Sequence, residues 1–136
     1  MSEYLQAPAV PPSVQKILDA APKSSLFERL QFVRKSFYAA IVAAGSGKPV
    51  DVPAERVEAM LKGSPASPFE ISAAETLMAR WAGLPARLGY GYYGGTKLSG
   101  GIMSIRPNNG ATWLEAYFHG YGWVPIIGTP PKAQQS

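Results

Sequence analysis

The stretch Ser67-Pro-Phe-Glu-Ile-Ser-Ala-Ala-Glu-Thr-Leu-Met-Ala-Arg-Trp-Ala-Gly-Leu-Pro-Ala-Arg87 decides how the rest of the chain is read. Three signals place a helix start at its beginning. Ser67 can cap, Pro68 takes the first helical position where its missing N–H costs nothing, and Glu70 completes a capping box. Ile71, Ala74, Leu77, Met78 and Trp81 then recur at helical spacing, which predicts one buried apolar face. Gly83 falls where a left-handed stop belongs, and Pro85 forbids continuation. Ala86-Arg-Leu-Gly-Tyr-Gly-Tyr92 reads as a strand. A buried helix feeding a strand is the centre of the fold.

Upstream of this centre the texture is helical. Residues 1–12 read as an irregular lead-in rich in Ala and Pro. Pro12 opens a short helix with Val14, Ile17, Leu18 and Ala21 on one face, and Pro22 ends it. Ser25 and Glu28 form a second capping box, and Leu26, Leu30, Val33, Phe37 and Ile41 mark a long amphipathic helix. Glu28, Arg29, Gln31, Arg34 and Lys35 lie mostly off that stripe, and Gly45 and Gly47 are expected to stop the helix. Pro53 begins a third helix with Val57, Met60 and Leu61 inward and Gly63 as its stop.

Downstream the period changes to two. Leu88, Tyr90 and Tyr92 alternate with Arg87, Gly89 and Gly91, then Gly94-Gly95 turns. A second strand is expected over 102–106, a third over 113–118 and a fourth over 123–127, with turns at Pro107–Gly110 and His119–Gly122. Helices first and an antiparallel meander after them is an α+β pattern, with the N-terminal helices packed on the sheet.

Composition narrows the function classes. The chain has 136 residues and no cysteine. It is expected to be one domain, and disulfides, thiolate metal sites and a cysteine nucleophile are excluded. The net charge of +4 is spread along the chain, with no basic patch that would suit nucleic acid. Gly45-Ser-Gly-Lys48 lacks the earlier glycine and following Ser or Thr of a phosphate loop, and Pro49 follows its lysine. The longest apolar run, Phe37 to Ala44, is far short of the ~20 residues a bilayer span needs. Met1-Ser-Glu-Tyr4 does not read as a signal peptide. The chain is expected to be soluble, with no cofactor and no metal.

Ala82-Gly-Leu-Pro-Ala-Arg87 with Gly89-Tyr-Gly-Tyr92, and Ala111-Thr-Trp-Leu-Glu-Ala-Tyr-Phe-His-Gly-Tyr-Gly-Trp-Val-Pro125, together resemble the two core motifs of the transglutaminase-like superfamily. The resemblance covers Ser25 to Thr129 and implies a papain-like domain over 13–129; the polar segment 130–136, with its two prolines, is expected to be a flexible tail. The family normally uses a Cys-His-Asp triad. Its cysteine position matches Pro68, its histidine position Ala111 and its aspartate position Ile127. The resemblance therefore implies a scaffold without its three reactive groups. It further implies a binding or scaffolding module on the extracytoplasmic side of a bacterial membrane. There the domain would be tethered to membrane segments of a longer protein and turned toward a protein, peptide or cell-wall polymer.

Two other readings stand beside that one. A relocated triad would use Ser67 as nucleophile, His119 as base and Glu115 as orienting group, giving a hydrolase or acyl transferase. Against it, Ser67 is accounted for as a cap, and His119 lies in a turn well beyond Trp113. A structural spacer would use none of these groups. For binding, the aromatic residues of the strand half are the candidates: Tyr90, Tyr92, Tyr93, Trp113 and Tyr121. Trp113 and Trp123 are expected in the core, and Arg87 in an ion pair or hydrogen bond behind the motif.

Overall fold

A computed structural model of the chain describes residues 1–45, 50–92, 96–97, 103–104 and 110–126. Four helices, α1 (Pro12–Ala20), α2 (Leu26–Ala40), α3 (Ala54–Leu61) and α4 (Pro68–Trp81), precede the main sheet. Among the described residues that sheet has three antiparallel strands, β3 (Ala86–Tyr92), β6 (Gly110–Phe118) and β7 (Gly122–Ile126), in the order β3-β6-β7. The architecture is α+β, as the change of period from helical to two predicts.

α4 is the centre. Its expected single apolar face is an underestimate, because every residue from Ile71 to Thr76 is buried. α2 packs on one side of it and the sheet on the other. Small Ala73, Ala74 and Ala79 allow both approaches. The core gathers Val14 and Leu18 of α1, Leu30, Val33 and Phe37 of α2, and Val57 and Met60 of α3 against Met78, Leu84, Leu114 and Ala116. Gly83, at φ +101°, supplies the left-handed stop that turns the chain toward β3.

Four expectations are corrected. α2 stops at Ala40 rather than at the glycines. The chain then extends, and β1 (Val42–Ala43) pairs in parallel with β2 (Pro65–Ala66), fixed by the Ala44 N–H donating to the Ala66 carbonyl at 2.9 Å. Leu26 lies outside the stripe, exposed in the first turn of α2, whereas Arg34 is buried. The strand half is not a simple meander. β3 pairs directly with β6, while β4 (Thr96–Lys97) and β5 (Met103–Ser104) form a separate two-stranded ladder. The lead-in is not wholly irregular, since Ser2–Leu5 forms a 3-10 turn. It is also pinned: Trp81 Nε1 donates to the Pro8 carbonyl at 2.7 Å and Arg80 Nη1 to the Gln6 carbonyl at 3.0 Å.

Arg34 is buried because Glu75 of α4 faces it across the core. Arg34 Nε donates to Glu75 Oε2 at 2.6 Å, and the Tyr38 hydroxyl donates to Glu75 Oε1 at 3.1 Å. Burial pushes the Glu75 carboxyl above its ordinary range, while Arg34 and Tyr38 pull it back toward the ionised form. Burial likewise raises the Tyr38 hydroxyl. No helix among the described residues is long and apolar enough to cross a membrane.

Candidate functional site

The start of α4 is where a helix-dipole-activated nucleophile would sit. Ser67 there is a cap. Its hydroxyl accepts the Glu70 N–H at 3.2 Å, and Glu70 Oε1 accepts the Ser67 N–H at 3.0 Å. Arg56 of α3 then clamps the same carboxylate, with Nε donating to Oε2 at 3.0 Å and Nη2 to Oε1 at 3.1 Å. Arg56 also donates to Ser64 Oγ and to the Pro65 carbonyl, both at 2.8 Å. The Arg56 bond, helped by the Ser67 N–H, holds the Glu70 carboxyl below the usual carboxylate range. Pro68 occupies the first helical position inside this clamp. Ser67→Ala is expected to lower stability by about 0.5–2 kcal/mol in thermal or urea unfolding, with Ser67→Asp largely restoring it.

Ala111 comes to the same end of the molecule. Ser72 Oγ, one turn into α4, donates to the carbonyl of Thr112 at 3.0 Å, so the first turns of α4 lie against the start of β6. β7 runs back to Ile126 opposite Leu114, which brings its far end to this region too. Ile127 lies outside the described residues, as does Tyr93. Tyr90, Tyr92 and Ala111 are placed by their backbones, Tyr90 opposite Thr112, Tyr92 opposite Gly110 and Ala111 opposite Gly91.

The relocated triad is not assembled. His119 follows the last residue of β6, seven residues beyond Thr112, which at ~3.3 Å per residue is about 23 Å along the strand. Its side chain is exposed. Glu115 spends both oxygens elsewhere, accepting Arg87 Nε at 2.8 Å and Trp113 Nε1 at 3.0 Å. Those two bonds, Arg87 first, hold its carboxyl below the usual range.

Glu115 belongs to the face of the sheet turned away from α4. The even residues Ala86, Leu114 and Ala116 are the buried ones, so the odd residues Arg87, Trp113, Glu115, Tyr117 and Trp123 share the opposite face. The Arg87 guanidinium stacks over the Trp123 ring at 3.9 Å from its centroid. Tyr117 and Tyr4 meet that ring edge-on at 5.6 and 5.0 Å. The two tryptophans expected in the core are therefore half-buried on this second face. Arg87 does form the expected ion pair. Tyr121, in the β6–β7 turn between Gly120 and Gly122, is 84% exposed. No group of three metal-ligating side chains occurs among the described residues.

The sequence read alone misses three connections: Arg56 to Glu70, Arg34 to Glu75, and the lead-in to Trp81 and Trp123. The second had a signal. Glu75 is the one charged residue between Ile71 and Met78 in the central helix, too deep in the apolar run to reach water.

The family model of the transglutaminase-like superfamily matches residues 18–126. Among solved structures, the periplasmic domain of TgpA from Pseudomonas aeruginosa superposes with a TM-score of 0.67 at 22% identity, over 92% of this chain and 45% of that one. The same domain bound to ethylmercury gives 0.58 at 20% identity, over 92% and 46%. At these identities the likeness is one of fold, and the chain spans less than half the length of those structures. No curated protein matches the sequence.

Proposed function

The chain belongs to the transglutaminase-like superfamily, and from that premise we propose that it is a catalytically inactive member serving as a binding or scaffolding module of a larger bacterial envelope protein. The observation that carries the proposal is the start of α4. A proline stands in the first turn, and the neighbouring serine is committed to a cap locked by Arg56. Acyl transfer needs a nucleophile and a base within hydrogen-bond reach. The carboxylate that the described residues place at Ser67 is Glu70, which is held by Arg56 and kept below the usual range, and His119 and Glu115 are both placed away from Ser67. The fold-level likeness to periplasmic domains supports an extracytoplasmic location, and attachment to membrane segments outside this chain follows from the same reading.

The binding surface proposed is the aromatic end of the sheet around the β6–β7 turn. Tyr121 presents its ring to solvent there, and Trp123, two residues on in β7, carries the Arg87 guanidinium of β3 stacked on its ring. A flat exposed ring on a glycine turn suits a sugar or peptide. Titration of the labelled domain with peptidoglycan fragments, followed by NMR, is expected to shift the amides of Gly120 to Trp123. Tyr121→Ala should abolish those shifts while leaving the melting temperature within a few degrees, because so exposed a side chain adds little to folding. Silence across all additions would favour the spacer reading. Covalent labelling by a serine-directed acylating probe, lost in Ser67→Ala, would overturn the inactive reading.

A further inference from the structure

Among the described residues, no strand pairs with the outer edge of β3. The β3–β6 register fixes where its backbone groups point. The Tyr117 N–H donates to the Pro85 carbonyl at 2.9 Å, so 85/117 is a hydrogen-bonded pair, as is every second pair after it. Leu88 and Tyr90 fall between those pairs and turn their N–H and C=O away from β6. Arg80 Nε reaches the Ala86 carbonyl from that outer side at 2.9 Å, which agrees with the assignment. Neither Leu88 nor Tyr90 has a backbone partner at this edge among the described residues. An unpaired edge of this kind is a template for another strand.

A groove of about 570 Å³ runs beside Leu88, floored by Ala73, Thr76 and Leu77 of α4 and walled by Val52 and the Gln6–Pro8 segment. Its charged lining is Arg80, Arg87 and Asp51. Arg87 is neutralised by Glu115. Among the described residues, Arg80 donates to the Ala86 and Gln6 carbonyls and pairs with no carboxylate.

We propose that this edge takes up an extended peptide of a partner protein as an added strand, with an acidic side chain of that peptide facing Arg80. The inference deepens the binding reading above and rests on it, at a surface separate from the β6–β7 turn. The free donor and acceptor recur every second residue, ~6.6 Å apart, a period that a peptide main chain shares and a sugar chain does not. The groove gives one side chain of the strand a pocket, which is how strand addition acquires specificity.

The probe is a capped hexapeptide alternating valine with threonine and one central glutamate, titrated into the labelled chain. The expected result is a saturable shift and slowed hydrogen exchange at the Leu88 amide. Binding should weaken at least tenfold when alternate peptide nitrogens are methylated or the glutamate is replaced by lysine. Leu88→Pro should abolish it, because that N–H faces away from β6 and proline is tolerated on such an edge. Should Leu88→Pro not fold, the methylated peptide against the unchanged chain decides alone. Three outcomes overturn the inference: equal binding of the methylated peptide, a Leu88 shift that follows protein concentration alone, or silence at Leu88. Peptidoglycan fragments added to the same sample separate the two readings. Shifts at Gly120 to Trp123 with Leu88 silent sink the edge site only, whereas silence to both probes sinks the binding reading as well.

Discussion

Replacing Glu75 by leucine is expected to destabilise the chain by about 3–5 kcal/mol, a large share of the ~5–15 kcal/mol that holds a domain of this size folded. Arg34 is 5% exposed, and its guanidinium cannot shed its charge. Loss of the carboxylate 2.6 Å away leaves that charge in the core without its counter-ion. The reciprocal change behaves differently. In Arg34→Met the remaining carboxyl can take a proton, and burial already pushes it in that direction. Its folded value then lies further above the unfolded one. The stability it contributes is complete below the ordinary glutamate value and is lost as pH rises through the raised one. Arg34→Met should therefore be nearly as stable as the parent at pH ~5 and fall behind toward pH ~8. Glu75→Leu should carry its full penalty at both. The double change Arg34→Met/Glu75→Leu should recover most of the loss, because a well-packed apolar pair replaces a desolvated ionic one. Urea unfolding of the four proteins at two pH values measures all of this. Equal pH profiles for the two single variants would refute the assignment of the buried charge.

That pair also marks the limit of what the sequence discloses. Ser67, Pro68, Glu70, Gly83 and Pro85 act through the backbone within a few residues of themselves. The start and stop of α4 were accordingly legible, as was the capping box, which is present in both directions. Arg34 and Glu75 lie 41 residues apart in sequence. Periodicity put Arg34 off the stripe because a stripe is defined by apolar residues, and a cation buried against a carboxylate breaks that definition. β3 pairing with β6 was hidden for a related reason. Alternation specifies which face of a strand is buried and leaves open which strand lies beside it.

The site divides along the same line. Pro68 and Ala111, which stand where the family normally has its cysteine and histidine, are brought to one end of the molecule by α4 and β6. Trp113 and Trp123 were misplaced as core residues, whereas Arg87 forms its expected ion pair. A tryptophan in an alternating strand reads as core unless something predicts a polar partner for its N–H. Glu115, two residues beyond Trp113, is that partner. The spacing was present in the sequence, but its meaning depended on Arg87 arriving from another strand.

Gly89→Ala is expected to cost at least the ~1–3 kcal/mol of ordinary overpacking, although alanine suits a strand better than glycine does. Gly89 faces Trp113 across the ladder. A Cβ there would lie 2.6 Å from Trp113 Cε2 and 2.9 Å from Glu115 Oε2, and closer still to Trp113 Nε1. The indole must leave, and with it goes the hydrogen bond that orients Glu115 toward Arg87. The effect is steric, because Gly89 is not among the glycines with positive φ. A smaller residue at 113 should therefore make alanine at 89 harmless. In a double-mutant cycle with Trp113→Ala, the two costs should fall short of their sum by most of the Gly89→Ala penalty. Acid unfolding supplies a second readout. Glu115, held below its ordinary range, contributes stability that is present above that range and lost as pH falls through its depressed value. Breaking the Trp113–Glu115–Arg87 chain should flatten that part of the acid limb in Gly89→Ala. Additive costs with an unchanged acid limb would mean that Trp113 does not fill the space above Gly89, and that the Arg87–Glu115 pair stands without it.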